Sequence, residues 1–233
     1  MQYFVRILLL LLLPVFTIAM PAWADDNSLE APDDIALRLQ QNYNDIRSIT
    51  FTFNQDTRGE MTGRPRRGSG RGYFYRDDSK NYMRWDYTSP EKQVLLSDGE
   101  NFSMYFSNLQ QMIVSPAENF DADLTYSFFT GRGNLQRDFH IRPAETDAQP
   151  TAGDEFQVVK LIPKVAQSQV QDIHLWVTAD SLIRRIRITD HFGTITVLNL
   201  SEINVNTLSE LEEKELESLF SFTPPEGTEI IRQ

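Results

Sequence analysis

The sequence predicts a mainly β protein of the α+β kind: an unclosed, strongly curved antiparallel barrel of about ten or eleven strands with a short-helix lid. Three observations carry this. Residues 71–116 are short aromatic and β-branched runs separated by turn residues at Asp77-Asp78-Ser79, Ser89-Pro90, Ser97-Asp98-Gly99 and Ser107-Asn108. Side chains in those runs alternate with period two: Met83, Trp85 and Tyr87 against Tyr82, Arg84 and Asp86, then Phe102, Met104 and Phe106 against Ser103 and Tyr105. A second series of such runs fills residues 139–203, with no linker, repeat or low-complexity tract in between. So many strands with one apolar face bury it most economically by curling, with helices over the open side.

Residues 1–24 read as a secretory signal. Arg6 is their one charge, Ile7 to Leu13 is unbroken apolar sequence, and Ala22-Trp23-Ala24 is a small-residue cleavage site. The apolar run is too short, and too soon interrupted by Pro14 and Pro21, to span a bilayer comfortably. Cleavage near Ala24 leaves residues 25–233 as one exported domain. The chain has no cysteine, so no lipid anchor can be attached behind the signal and stability must come from a core. A net charge of −11 argues against nucleic acid, and against docking on an anionic membrane by charge.

In order, a helix follows Asp33 and Asp34, with Ile35, Leu39 and Tyr43 on its apolar face and Arg38, Gln41 and Asn42 opposite. Ile49, Phe51 and Phe53 alternate with Thr50, Thr52 and Asn54 in the first strand. Residues 59–72 combine glycines with Arg64, Arg66, Arg67 and Arg71. A solvated hairpin tip is the favoured reading, since no aromatic is interleaved for a nucleic acid; contact with an acidic partner or a lipid headgroup is another. Asp121 or Asp123 caps a short apolar helix through Leu124, Phe128 and Phe129. Five strands then cover 139–142, 156–162, 170–178, 182–189 and 194–203. In the last but one, Leu182, Ile186 and Ile188 share a face with Arg184, while Ile183 lies with Arg185 and Arg187, whose guanidinium groups mark the solvent side. A capping box at Ser209 to Glu212 starts a helix docked by Leu211, Leu216 and Leu219, and residues 220–227 form a final strand stopped by Pro224 and Pro225.

Reactive constellations are missing from this pattern. His140, His174 and His191 lack metal-ligand spacing, Asp121 and Asp123 are half of a calcium loop without its glycine and distal glutamate, and Gly68 to Gly72 lacks a phosphate-loop lysine. The expectation is a non-enzyme with no cofactor and no metal. What remains is aromatic and methionine side chains at alternating positions, which composition alone assigns equally to a filled core or to a cavity.

The run from Met83 to Pro90 followed by Gln93-Val94-Leu95-Leu96-Ser97-Asp98-Gly99 resembles the LolA family of outer-membrane lipoprotein carriers, as do Phe51-Thr52-Phe53-Asn54-Gln55 and the Phe220 to Gly227 terminus. The resemblance runs over nearly the whole chain after the signal. It implies an unclosed barrel with a helical lid over an apolar cavity, and a periplasmic, non-lipidated, monomeric carrier. Such a carrier takes acylated lipoproteins from an inner-membrane ABC transporter (LolCDE-like) and hands them to an outer-membrane acceptor (LolB-like), with no role for nucleic acid. By position it places Trp85, Met83 and Tyr87 in the cavity, with Phe51, Phe53, Phe74, Leu95, Phe102 and Met104 as further wall residues. Leu124, Phe128 and Phe129 fall in the lid, and Arg76 is the nearest match to the arginine that latches it. Asp77 stands where the family usually has proline, and Ser103 where it commonly has tryptophan. A LolA-like carrier or sensor of another acylated ligand, such as a glycolipid, is the alternative.

Overall fold

The computed structural model describes residues 30–59, 64–120, 133–146, 148 and 155–233. Its first element, α1 (Pro32–Asp45), starts with proline in the first turn, where a missing N–H costs nothing, and with Asp33 and Asp34 at the positive end of the helix dipole. Twelve strands follow. They are β1 (Ser48–Arg58), β2 (Arg66–Arg76), β3 (Asn81–Ser89), β4 (Gln93–Ser97), β5 (Asn101–Phe106), β6 (Gln111–Pro116), β7 (Phe139–Pro143), β8 (Phe156–Pro163), β9 (Asp172–Thr178), β10 (Ile183–Thr189), β11 (Ile195–Val205) and β12 (Glu229–Arg232). Two short helices, α2 (Leu135–Asp138) and α3 (Glu213–Leu219), complete the set with 3₁₀ turns at Ala117–Phe120 and Thr207–Glu210.

All twelve strands belong to one sheet, ordered β12-β6-β5-β4-β3-β2-β1-β11-β10-β9-β8-β7. β12 and β7 are its two edges, so the sheet does not close on itself. The long central strand β1 pairs with β2 on one side and β11 on the other, joining two antiparallel meanders. Within each meander strands pair with sequence neighbours, and tight turns of the expected residues join β2 to β3, β3 to β4, β4 to β5, β5 to β6, β9 to β10 and β10 to β11. Asp77 accepts from the backbone N–H groups of Ser79 and Lys80, and Asp98 from those of Glu100 and Asn101. One face of the sheet carries the main core together with α1. On the opposite face of β2–β6 lies a second apolar cluster beneath the C-terminal segment.

Several expectations need correction. The sheet is not wholly antiparallel, because β12 runs parallel to β6. Residues 220–227 are not a strand: Pro224 and Pro225 cannot donate ladder bonds, and strand structure resumes at Glu229. The capping box sits three residues later than expected, with Glu212 as N-cap and Glu215 at N3, while Ser209 belongs to the preceding 3₁₀ turn and Leu211 is exposed. Arg66, Arg67 and Arg71 lie in β2 instead of a hairpin tip. A bulge in β10 between Ile183 and Arg185 breaks strict alternation, so Ile183 and Ile186 both face the core.

Candidate binding site on the inner face of the sheet

The period-two pattern places every described wall candidate on one face. Register aligns Phe51, Gly72, Trp85, Leu95 and Met104 in a row across β1–β5. A neighbouring row holds Ile49, Phe74, Met83, Ser97 and Phe102, and a third holds Phe53, Gly70 and Tyr87. Phe51, Phe53, Phe74, Met83, Trp85 and Phe102 are buried in a single cluster, with Tyr87, Leu95 and Met104 half-buried against it. Leu124, Phe128 and Phe129 lie outside the described residues.

Trp85 is the hub of this face. Its indole meets Phe53 edge-on at 4.7 Å between ring centroids, Phe51 at 5.3 Å and Phe74 at 6.0 Å, and Phe53 meets Tyr87 at 4.8 Å. These tilted approaches are the favoured geometry for ring quadrupoles. Gly72 makes them possible. A Cβ there would stand 2.5 Å from the Phe51 ring, so the missing side chain lets that ring lie over β2 and reach Trp85. Gly70 serves the backbone instead, since a Cβ would come within 1.9 Å of the Asp86 carbonyl, beside the bulge in β3 that leaves Thr88 unpaired. The sole polar atom that Tyr87 brings, its hydroxyl, donates to Gln55 Oε1 at 2.8 Å, and burial pushes its pKa up to about 12. The face is therefore uncharged at any physiological pH.

α1 joins the same buried cluster through Ile35, Ala36, Leu39 and Tyr43, with its backbone nearest β7, β8 and α2. Its polar attachments gather at the ends of strands. Arg76, at the end of β2, donates to the carbonyls of Ile46 (2.6 Å), Asn44 (2.7 Å) and Tyr43 (3.2 Å). A guanidinium thus satisfies the open carbonyls at the negative end of the helix. Arg38 and Asn42 hold the other flank, Arg38 donating to Ala179 O at 3.0 Å and Asn42 to Ser181 O at 2.9 Å. Gln40 Oε1 accepts from the Leu135 N–H at the start of α2. The cleft left between Arg76, the end of α1 and the β2–β3 strands is about 20 Å³, space for about one water. The inner-face rings and the apolar side of α1 thus belong to one core.

Sequence reasoning grouped these walls correctly by face. It missed Gly72, although glycine in an aromatic strand is itself a sign of close approach. It also left Arg38 on the solvated side of α1, where nothing in helical periodicity distinguishes it from Gln41. Ser103, the departure from the family pattern, faces away from this site: its strand partners are Leu96 and Val114 of the second cluster.

The second cluster pairs Tyr75 and Tyr82 with Phe220, and Tyr105 with Phe222. Arg84, held by Asp86 at 2.9 Å, donates to the carbonyls of Leu219 (2.6 Å) and Ser221 (3.2 Å) and fixes the C-terminal segment there. A separate polar group lies on β8–β10. His174 is fully buried between Glu145 (2.7 Å) and Asp172 (3.3 Å), and Lys160 also bonds Glu145. The Lys160 bond, helped by His174, holds the Glu145 carboxyl down at about 2. His140 is exposed on β7, and His191 bonds the Gln167 carbonyl at 2.8 Å. Among the described residues no three His, Asp or Glu side chains are placed to hold a metal ion, and no helix is long and apolar enough to cross a membrane.

Comparison with known proteins is consistent with this arrangement. The family described as "Outer membrane lipoprotein carrier protein LolA" matches residues 44–222. An outer-membrane lipoprotein carrier protein of Nitrosomonas europaea is 28% identical over 97% of this chain and 98% of its own. One from Methylococcus capsulatus is 26% identical over 83% of this chain and 85% of its own. Among solved structures, an uncharacterized conserved protein from Thermus thermophilus superposes with a TM-score of 0.52 at 13% identity, covering 86% of this chain and 98% of that one. That last likeness concerns the fold.

Proposed function

The chain belongs to the LolA family of outer-membrane lipoprotein carrier proteins, and from that premise we propose that it is exported to the periplasm, where it shields lipoprotein acyl chains. In this reading residues 1–24 direct export and residues 25–233 are the working carrier. Cargo comes from an inner-membrane lipoprotein-releasing ABC transporter and passes to an outer-membrane acceptor. The observation that carries the proposal is the uncharged aromatic face around Trp85, which shares one buried cluster with the apolar side of α1. An acyl chain left in water costs about 0.8 kcal/mol per methylene, so a shuttle has to bury it, and binding alone performs the task without a catalytic group.

With α1 seated on the rings, cargo replaces the helix as their apolar neighbour. Lifting α1 breaks the Arg76 and Arg38 contacts and bares the face; an acyl chain then fills it. Release reverses the exchange, with α1 competing for the same surface. The test is native mass spectrometry of the exported protein co-expressed with a tagged triacylated lipoprotein. A one-to-one complex supports the carrier reading. Glycolipid or phospholipid alone would replace it with carriage of another ligand, and an empty protein would return the rings to ordinary core.

A further inference from the structure

Alternating strand direction sends the turns of this sheet to two opposite ends, and the two ends differ in chemistry. At the end where α1 finishes, the turns and flanks carry Asp77, Asp78, Asp98, Glu100, Glu118 and Asp180. At the other end lie the β1–β2, β3–β4, β5–β6, β8–β9 and β10–β11 connections. That end carries Leu109 (58% exposed), Val165 (73%), Phe192 (75%) and Ile195 (38%), which are most of the large apolar side chains exposed among the described residues. It also carries exposed Arg58, Arg64, Arg66, Arg67 and Lys92 against Asp56, Glu91 and Asp190, while Arg47 and Lys80 stand among the acids of the first end. Register ties the two sets together, for Arg58 pairs with Ile195 across β1 and β11, next to the turn that bears Phe192. Arg58 and Arg67 share Asp56, whereas the side chains of Arg64 and Arg66 have no ion-pair or hydrogen-bond partner among the described residues.

A single exposed leucine or phenylalanine means nothing. Here Leu109, Val165 and Phe192 stand on three separate turns at one end, interspersed with unneutralised arginines, and together they form fingers instead of a groove. We propose that this end of the barrel docks on the surface of an anionic phospholipid bilayer. A protein partner would offer a shaped receptor; a bilayer interface accepts isolated apolar tips wherever they fall and holds cations at the headgroups. The net charge of −11 does not forbid this, because the acids concentrated at the far end orient the molecule with that end toward water. Overall repulsion keeps the attachment weak and salt-sensitive. The inference goes beyond the carrier reading and needs no cargo.

The experiment is co-sedimentation of the exported protein, recovered without residues 1–24, with vesicles of phosphatidylethanolamine and phosphatidylglycerol, against vesicles of phosphatidylcholine alone. Binding is expected on the anionic vesicles at low salt and is expected to fade at high salt. Each basic side chain near such a surface contributes about fivefold in partition, so R64S/R66S should weaken binding at least fivefold. Leu109→Ser with Phe192→Ser should weaken it severalfold, with circular dichroism and cargo loading unchanged in both variants. Absence of vesicle binding at low salt overturns the proposal, as does binding indifferent to both pairs of substitutions. If vesicles fail but R64S/R66S abolishes cross-linking to a periplasmic or membrane protein, the end is a protein-docking surface. Cargo loading measured in parallel separates failure here from failure of the carrier reading.

Discussion

The two faces of β2–β6 are both apolar, both rich in aromatic rings and both covered, yet they are covered differently. On the inner face Trp85, Phe74 and Phe102 share one buried cluster with a helix bonded at the strand ends through Arg76, Arg38 and Asn42. On the outer face Tyr82, Leu96 and Tyr105 meet a C-terminal segment that Arg84 fixes and that continues into the sheet itself as β12. Burial fractions do not distinguish the two. The attachment does: α1 is bonded to the sheet through side chains at the strand ends, whereas the C-terminal segment continues into the sheet as a strand. In the proposed carrier, the first kind of cover is the one that cargo displaces.

Five substitutions test that contrast. The largest effect is expected from Trp85→Glu, which puts a charge among rings with no partner to compensate it. Acyl-chain loading should fall at least a hundredfold, and thermal melting establishes that the variant still folds. The outer-face counterpart, Tyr105→Ala, should cost about 3–5 kcal/mol in urea unfolding, as for other buried aromatics, with loading of the folded protein unchanged. Loss of loading in Tyr105→Ala would erase the distinction between the faces.

Next come the two arginines. Arg76→Leu removes three bonds to the end of α1 and should cost about 2 kcal/mol, with faster amide exchange in α1 and none in residues 219–222. Arg84→Leu should show the reverse pattern. Uniform exchange changes in both would mean that the covers are not independent. Gly72→Ala should cost about 1–3 kcal/mol by driving Phe51 off Trp85, visible as altered tryptophan fluorescence.

The smallest effect concerns a region that belongs to neither face. Glu145, held at about 2 in the folded protein against an ordinary 4.5, lends stability that is complete above pH 4.5 and is lost as pH falls toward 2. Glu145→Gln should flatten the melting temperature over that window and leave loading unchanged; a profile identical to wild type would show that the Lys160 and His174 contacts carry no linkage.

Much of this was legible in the sequence. Period-two alternation put Met83, Trp85 and Tyr87 on one face, and turn residues such as Asp98-Gly99 marked the meander, because both signals are local. The rest depends on partners far along the chain. Nothing around Arg38 announces that it will find Ala179, nor around Arg84 that it will find Leu219. Pairing of β12 parallel to β6 was hidden for the same reason, since direction is set by where a strand returns. The β10 bulge reversed a face assignment because one extra residue shifts alternation by one step.

The sheet order also governs how the molecule is assembled. Strands β1–β6 and β7–β11 pair with near neighbours in sequence, whereas the two halves join only across the long-range contact of β1 with β11, where Phe53 meets Leu200. Closing so long a loop is slow in any chain. Until then β1 has a bare edge and the aromatic face has no opposite wall, the condition in which strands pair with the wrong chain. The half-assembled protein, more than the finished one, is therefore the species prone to aggregate, and mutations along β1 and β11 will be felt first as loss of yield.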